Sequence, residues 1–366
     1  MTAPVNRVND ILLECRSVWK VFGKRAPEAM RAISERDLSK REVLQQFDCV
    51  VGVAGASLQV NRGEIFCIMG LSGSGKSTLI RMLNRLIDPT AGDVLVKGKE
   101  ISKLAAQDLR QMRAHDITMV FQSVALLPNR TVLENAAFGL EVRGVGKAER
   151  LLVAEASLKK VGLEDWMHRY PRELSGGMQQ RVGLARAFTV NPEIILMDEP
   201  FSALDPLIRR QLQDEFRQLV KELGKSAVFI THDLDEAIRI GDRIAIMKDG
   251  VIIQDGTAEE IILNPADAYV EEFVAGISRL HLITARSVMI PIPEFLVGRP
   301  GADLSLLATT TPDADMDELI DLSLAKEAVG IVVVEGGARI GVVTPRSLLL
   351  AVKGAKTNEA IEPVGG

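Results

Sequence analysis

The chain has 366 residues, 47% hydrophobic and 25% charged; that length allows two domains with at least one sizeable core, and the balance excludes a disordered chain. A net charge of −5 without a face-sized basic block disfavours a nucleic-acid partner. Three scattered cysteines (Cys15, Cys49, Cys67) without CxxC spacing argue against a disulfide framework or a zinc site, and four histidines show no metal-ligand spacing. Met1–Asp10 is polar and lacks the apolar core of a secretion signal. Apolar runs such as Val329–Val334 are strand-sized, far short of the ~20 residues that span a bilayer, so a membrane role is expected to go through a partner.

In chain order, Ile11–Phe22 reads as a strand, and a segment of about 24–50, rich in Arg, Lys and Glu at helical spacing, as a helical insert before the sheet resumes near Val51. To about Gly256, strand-like runs (Glu64–Met69, Ile117–Phe121, Glu193–Asp198, Ala227–Thr231, Arg243–Met247) alternate with helical ones (Ser77–Leu86, Leu207–Leu223). This alternation predicts an α/β domain with a largely parallel core sheet. Asn264–Gly276 reads as a closing amphipathic helix. After about Arg279 several prolines precede a helix at Met316–Leu324, strands at Gly330–Glu335 and Arg339–Val343 joined through Gly336–Gly337, and a helix at Arg346–Val352: a second, smaller α/β module.

Gly70-Leu71-Ser72-Gly73-Ser74-Gly75-Lys76-Ser77 fits GxxxxGK[ST], after a strand and before a helix. The glycines let successive N–H groups face one anion while the helix N-terminus points at the same spot. Lys76 can reach the β- and γ-phosphates, and the Ser77 hydroxyl can ligate Mg²⁺. In Ile194-Ile195-Leu196-Met197-Asp198-Glu199 an apolar strand delivers Asp198 beside that loop, able to hold the Mg²⁺ shell. Glu199 follows where a carboxylate can polarise an attacking water. In Leu174-Ser175-Gly176-Gly177-Met178-Gln179-Gln180-Arg181, Ser175 can cap a helix starting near Met178, and two glycines allow close approach of the backbone to phosphate.

That last stretch resembles the signature motif of ABC ATPases, with Met178 where Gln is usual. The resemblance covers about Ile11 to Gly276 and implies a P-loop NTPase of the ABC ATPase type: a RecA-like core, an antiparallel β part and a helical subdomain at about 123–190. It implies ATP and Mg²⁺ as cofactors. Gly70, Ser72, Gly73, Ser74, Gly75, Lys76, Ser77, Thr78, Gln122 and Asp198 would bind the nucleotide, with Ser77, Gln122 and Asp198 at the metal. Gln122 resembles the Q-loop glutamine and Ser202-Ala203-Leu204-Asp205 the D-loop that faces the opposite cassette. His232, after the strand Ala227–Thr231, resembles the switch histidine that contacts the γ-phosphate, so Glu199, His232 and Gln122 form the expected catalytic group. Leu174, Ser175, Gly176, Gly177, Met178 and Gln179 would complete the site of a second subunit. Phe22 resembles the aromatic that stacks on adenine, with Trp19 as a competitor.

A narrower match runs through Met69–Ser77, the helical insert, Leu83-Asn84-Arg85-Leu86, Phe201–Arg209, His232–Ala237 and Ile240–Arg243, which resemble the glycine betaine/proline/choline importer subgroup. It implies a homodimer of ATPase subunits on the cytoplasmic side of the cell membrane, bound to integral-membrane permease subunits. An extracytoplasmic substrate-binding protein would belong to the system. An ABC ATPase importing another solute, one working without a permease, and a regulatory module without turnover remain as alternatives. Residues 279–355, with Ala285–Met289 and Gly341–Pro345, look like a single CBS module, followed by a flexible tail at 356–366; residues 1–278 would be the ATPase domain.

Overall fold

The computed structural model describes residues 10–275, 284–297, 299, 301, 303–325 and 329–353. They divide into two compact units, Met1–Asp255 and Gly256–Gly366. The expected boundary at 278/279 and the tail at 356–366 lie outside the described residues.

The first unit begins with β1 (Ile11–Phe22), α1 (Ala26–Arg36), α2 (Lys40–Phe47) and β2 (Val50–Asn61), so the insert read from the sequence is two helices between two paired strands. Phe22 faces Val50 across the ladder, so the chain leaves and re-enters on one rung. Ser39 caps α2 in a reciprocal pair with Glu42, and Asp48 closes it in the left-handed region. Ala29, Ala32, Ile33, Val43 and Phe47 turn inward to give the insert its own small core against Val21 and Val51.

Next come β3 (Ile65–Met69), α3 (Lys76–Leu83), β4 (Ala91–Val96), β5 (Lys99–Glu100), α4 (Ala106–His115) and β6 (Ile117–Val120). Helices α5 (Val132–Val142), α6 (Lys147–Lys160) and α7 (Gly176–Thr189) form a packed group. Then follow β7 (Ile194–Asp198), α8 (Pro206–Glu222), β8 (Ser226–Thr231), α9 (Leu234–Ile240), β9 (Arg243–Lys248) and β10 (Val251–Gly256), whose last residue is the first of the second unit. Two sheets result: β2-β1-β4-β5, with antiparallel pairing, and β10-β9-β3-β8-β7-β6, in which β3, β6, β7, β8 and β9 run parallel. Every residue of β3, β7 and β8 is buried, as a parallel sheet covered on both faces requires. Cys67 is among them, a core residue as its apolar run predicts. The consequence for function is positional: the carboxyl ends of β3, β6, β7 and β8 emerge along one edge, each followed by a motif segment.

The second unit contains α10 (Ala258–Leu263), α11 (Ala268–Val274), α12 (Ala285–Val288), β11 (Ile290–Pro291), α13 (Ile292–Val297), β12 (Ala308–Thr310), α14 (Met316–Ala325), β13 (Ile331–Glu335), β14 (Ala338–Val343) and α15 (Pro345–Lys353). Its sheet, β11-β14-β13-β12, buries Ile331, Val333 and Val343 on one face with Met316 and Leu319, and Val332 and Val342 on the other with Phe295. One expectation needs correction. Asn264–Gly276 is not a continuous helix: Pro265 ends the preceding run, and the Asp267 carboxylate accepts from the Val270 N–H to start α11 afresh; Gly276 lies outside the described residues.

Candidate functional site

The loop between β3 and α3 is held from behind by backbone. Gly70, Gly73 and Gly75 have φ of +150°, +80° and +104°, the region in which a side chain is strained. A Cβ on Gly70 would lie 2.1 Å from the Met247 carbonyl oxygen, and one on Gly75 2.4 Å from that of Gly52. The Gly250 N–H donates to the Ser74 carbonyl at 2.7 Å. Leu71, Ser72 and Gly73 form the exposed crown of the loop, while the Ser74 hydroxyl is buried without a protein partner. Lys76, only 5% exposed, turns back into the loop and donates from Nζ to the carbonyls of Gly70 (2.7 Å) and Leu71 (3.1 Å). Burial pushes its ammonium below the usual lysine range, and the carboxylates of Glu199 and Asp198 pull the other way.

Asp198 ends β7, buried, and receives the Ser77 hydroxyl at 2.9 Å and the Arg81 guanidinium at 3.2 Å. Arg81 escaped sequence reasoning; its position one helical turn after Ser77, on the same face of α3, is the signal that could have found it. The next residue, Glu199, has φ +46°, uncommon for a residue with a side chain. Its carboxylate lies 3.2 Å from His232 Nδ1. The Ser202 hydroxyl donates to the Glu199 carbonyl at 3.0 Å and accepts from Gln122 Nε2 at 3.2 Å. Segments after β6, β7 and β8 therefore meet in one hydrogen-bonded chain, Gln122–Ser202–Glu199–His232. The D-loop serine is its hub, an intramolecular role that the sequence did not announce. Ala203 and Asp205 are exposed beyond it.

The signature segment stands apart from this chain. Ser175 caps α7 by accepting from the Met178 N–H at 3.3 Å, and the helix starts at Gly176, two residues earlier than expected. Gln179 reaches back to the carbonyls of Pro171 and Leu174, at 3.1 and 3.2 Å, fixing the approach of the loop. Leu174 is buried; Ser175 and Gly176 are exposed. Gly177 also serves packing: a Cβ there would sit 2.9 Å from Ile208 Cγ2, at the start of α8. Of the two aromatics, Trp19 packs with the insert core, its Nε1 3.3 Å from where a Cβ on Gly55 would be. Phe22 is 40% exposed, and a Cβ on Gly52 would meet its ring at 2.8 Å and Thr78 Cγ2 at 3.6 Å. Phe22 thus stands beside the start of α3.

Among the described residues no group of three or more His, Cys, Asp or Glu side chains could hold a metal alone. The Ser77 hydroxyl, the Asp198 carboxylate and the Gln122 amide are hard oxygen donors of the kind Mg²⁺ accepts alongside waters and substrate phosphates. Nor is any described helix long and apolar enough to cross a membrane.

A phosphate loop, a strand-end carboxylate pair and a separate Ser-Gly-Gly helix cap on one parallel sheet define the class of ATP-binding cassettes. The ABC transporter family matches residues 53–202. The chain is 54% identical over 279 residues to the glycine betaine transport ATP-binding protein OpuAA of Bacillus subtilis (strain 168), covering 76% of this chain and 66% of that one. It is 46% identical to the glycine betaine/proline betaine transport system ATP-binding protein ProV of Salmonella typhimurium, over 96% of this chain and 85% of that one. Among solved structures, an ATP-binding cassette dimer in a post-hydrolysis state bound to ADP and Pi is 31% identical, with a TM-score of 0.56 over 67% of this chain and 98% of that one. The chain belongs to the ABC transporter family, as an ATP-binding protein.

The loop geometry gives a direct test. Gly75→Ala should weaken ATP binding by about tenfold or more, since αL strain and the clash with Gly52 must distort the anion cradle. Titration with a fluorescent ATP analogue reads this; an affinity within about twofold of wild type would mean that the loop does not carry the phosphates.

Proposed function

We propose that this chain is the ATP-hydrolysing subunit of an importer for a quaternary-amine osmolyte: glycine betaine, proline betaine or proline, or choline. The observation that carries the hydrolytic reading is the chain Gln122–Ser202–Glu199–His232 beside the Ser77–Asp198 pair. The solute class is supported by the transport systems named for the relatives. Two copies act together on membrane permease subunits at the cytoplasmic face, and an extracytoplasmic binding protein supplies the solute.

Each role follows from a residue's chemistry. Phe22 supplies the ring for adenine. The N–H groups of 70–78 and the Lys76 ammonium hold the phosphates, and an incoming phosphate replaces the Gly70 and Leu71 carbonyls as the partner of Lys76. Ser77, Asp198 and Gln122 hold Mg²⁺, whose charge offsets that developing on the phosphates when it is bound. Glu199 orients the attacking water and takes its proton as the bond between the γ-phosphorus and the bridging oxygen breaks. His232 holds the Glu199 carboxylate in place. Leu174–Gln179 of the opposite cassette contributes a second helix N-terminus to the same phosphates. The second unit, with a sheet covered on both faces, is read as a CBS-like regulatory module.

The chain assembled with its permease in vesicles should hydrolyse ATP faster when one of glycine betaine, proline or choline is presented with the binding protein. Activity indifferent to all three in an assembled complex would remove the osmolyte assignment. Glu199→Gln should cut turnover by about a hundredfold or more and retain bound ATP, measurable by nucleotide trapping; normal turnover would remove Glu199 as the base. Deleting the residues after Arg279 should abolish the response of transport to ionic strength, and an unchanged salt response would leave the second unit without a regulatory role.

A further inference from the structure

A polar stripe on α8 has no part in the roles above. Residues 209, 213, 217 and 221 recur at four-residue spacing, which puts them on one side of the helix. Each reaches the segment 233–242. Arg209 Nη1 lies 3.9 Å from Asp233 Oδ2, Gln213 donates to Glu236 at 2.8 Å, Arg217 to the Arg239 carbonyl at 2.8 Å, and Lys221 to Asp242 at 3.1 Å. The Gln213–Glu236 pair is buried, and burial pushes the Glu236 carboxyl up while hydrogen bonds from Thr231 and Gln213 oppose that. The stripe fastens α8 along α9.

Its first member does more. Arg209 Nη2 also donates to the carbonyls of Ser202 at 3.2 Å and Leu204 at 3.0 Å, so one guanidinium grips the D-loop with one nitrogen and faces Asp233 with the other. Asp233 directly follows His232, and its other oxygen accepts from the Glu236 N–H at 3.2 Å, starting α9. We propose that Arg209 is a positioning residue that ties the D-loop to the loop carrying His232, so that a displacement of residues 202–204 is delivered to both His232 and Glu199. The second route, through Ser202, is already in place. The D-loop ends exposed at Ala203 and Asp205, where a second cassette would press on it. Lysine cannot replace this arginine: a point charge on a flexible stem does not present a planar fork to two carbonyls and a carboxylate together.

The inference rests on the hydrolytic reading of Glu199 and His232, and its test therefore has one arm that needs no turnover. Full-length wild type, Arg209→Met, Arg209→Lys and Arg217→Met would be compared for ATP hydrolysis, for binding of a non-hydrolysable ATP analogue, and for amide exchange of 200–205 and 232–236. Arg209→Met should lower kcat about tenfold with KM and analogue affinity within about threefold, and both segments should exchange about tenfold faster. Arg209→Lys should fall between it and wild type, and serves alone if the methionine variant does not fold. Arg217→Met, which cuts the same stripe two turns from the D-loop, should keep kcat within about twofold. Unchanged exchange in the Arg209 variants, a joint loss of kcat and analogue binding, or an equal effect of Arg217→Met would overturn the proposal. A wild type that hydrolyses no ATP, with exchange behaving as expected, would sink the hydrolytic reading and leave the tie between the loops standing.

Discussion

The hydrogen bond from Ser77 to Asp198 joins segments that follow two non-adjacent strands of one sheet. The strands that deliver these residues, β3 and β7, are not neighbours; β8 runs between them. The contact exists because the strands are parallel and in register, Ile65 beside Ala227 and Ala227 beside Ile195, so their carboxyl ends finish level. One slipped residue in β7 would turn Asp198 toward the opposite face. The buried, continuous apolar character of these strands sets the depth at which the site lies, and the site chemistry inherits that precision.

Within this frame charge is arranged against itself. Lys76 is an ammonium taken out of water and bonded only to carbonyl oxygens, which satisfy its hydrogens without neutralising it. Asp198 and Glu199 offset part of the burial penalty. The Ser74 hydroxyl is buried without a protein partner. A loop with an underpaid cation and a spare hydroxyl is less stable empty than with an anion in it, so nucleotide and fold stabilise each other. A ligand at a hundredfold excess over its Kd contributes about 2.7 kcal/mol by mass action.

Much of this was legible in the sequence, for reasons that can be named. The strand at Ile11–Phe22 has the same limits in the structure, and the loop after β3 turns on three glycines at positive φ, two of which, Gly70 and Gly75, leave no room for a Cβ. Which of Phe22 and Trp19 packs with the insert and which lies beside the start of α3 was not legible. Alternation along β1 is broken by register shifts between Val18 and Lys20 and between Lys20 and Val21, so parity cannot assign faces there. Arg81 reads as one more solvated charge on a helix until Asp198 is brought to it from the far side of β8. The hub role of Ser202 depends likewise on β6 and β7 being adjacent, a fact of strand order that no local pattern carries. The break in 264–276 was within reach, since Pro265 and Asp267 are both helix-boundary residues.

The insert between β1 and β2 leaves and returns on the same rung, Phe22 opposite Val50. An excursion whose two ends are already paired imposes no length requirement on the ladder, and its closure cost grows only slowly with the chain it contains. The hairpin is therefore indifferent to what hangs from it. The aromatic residue beside the nucleotide loop is not, because it is itself one end of that rung. Load borne by α1 and α2 reaches the sheet through that rung and through Val21 and Val51, which makes the insert a handle fitted to the edge of the sheet beside the nucleotide loop.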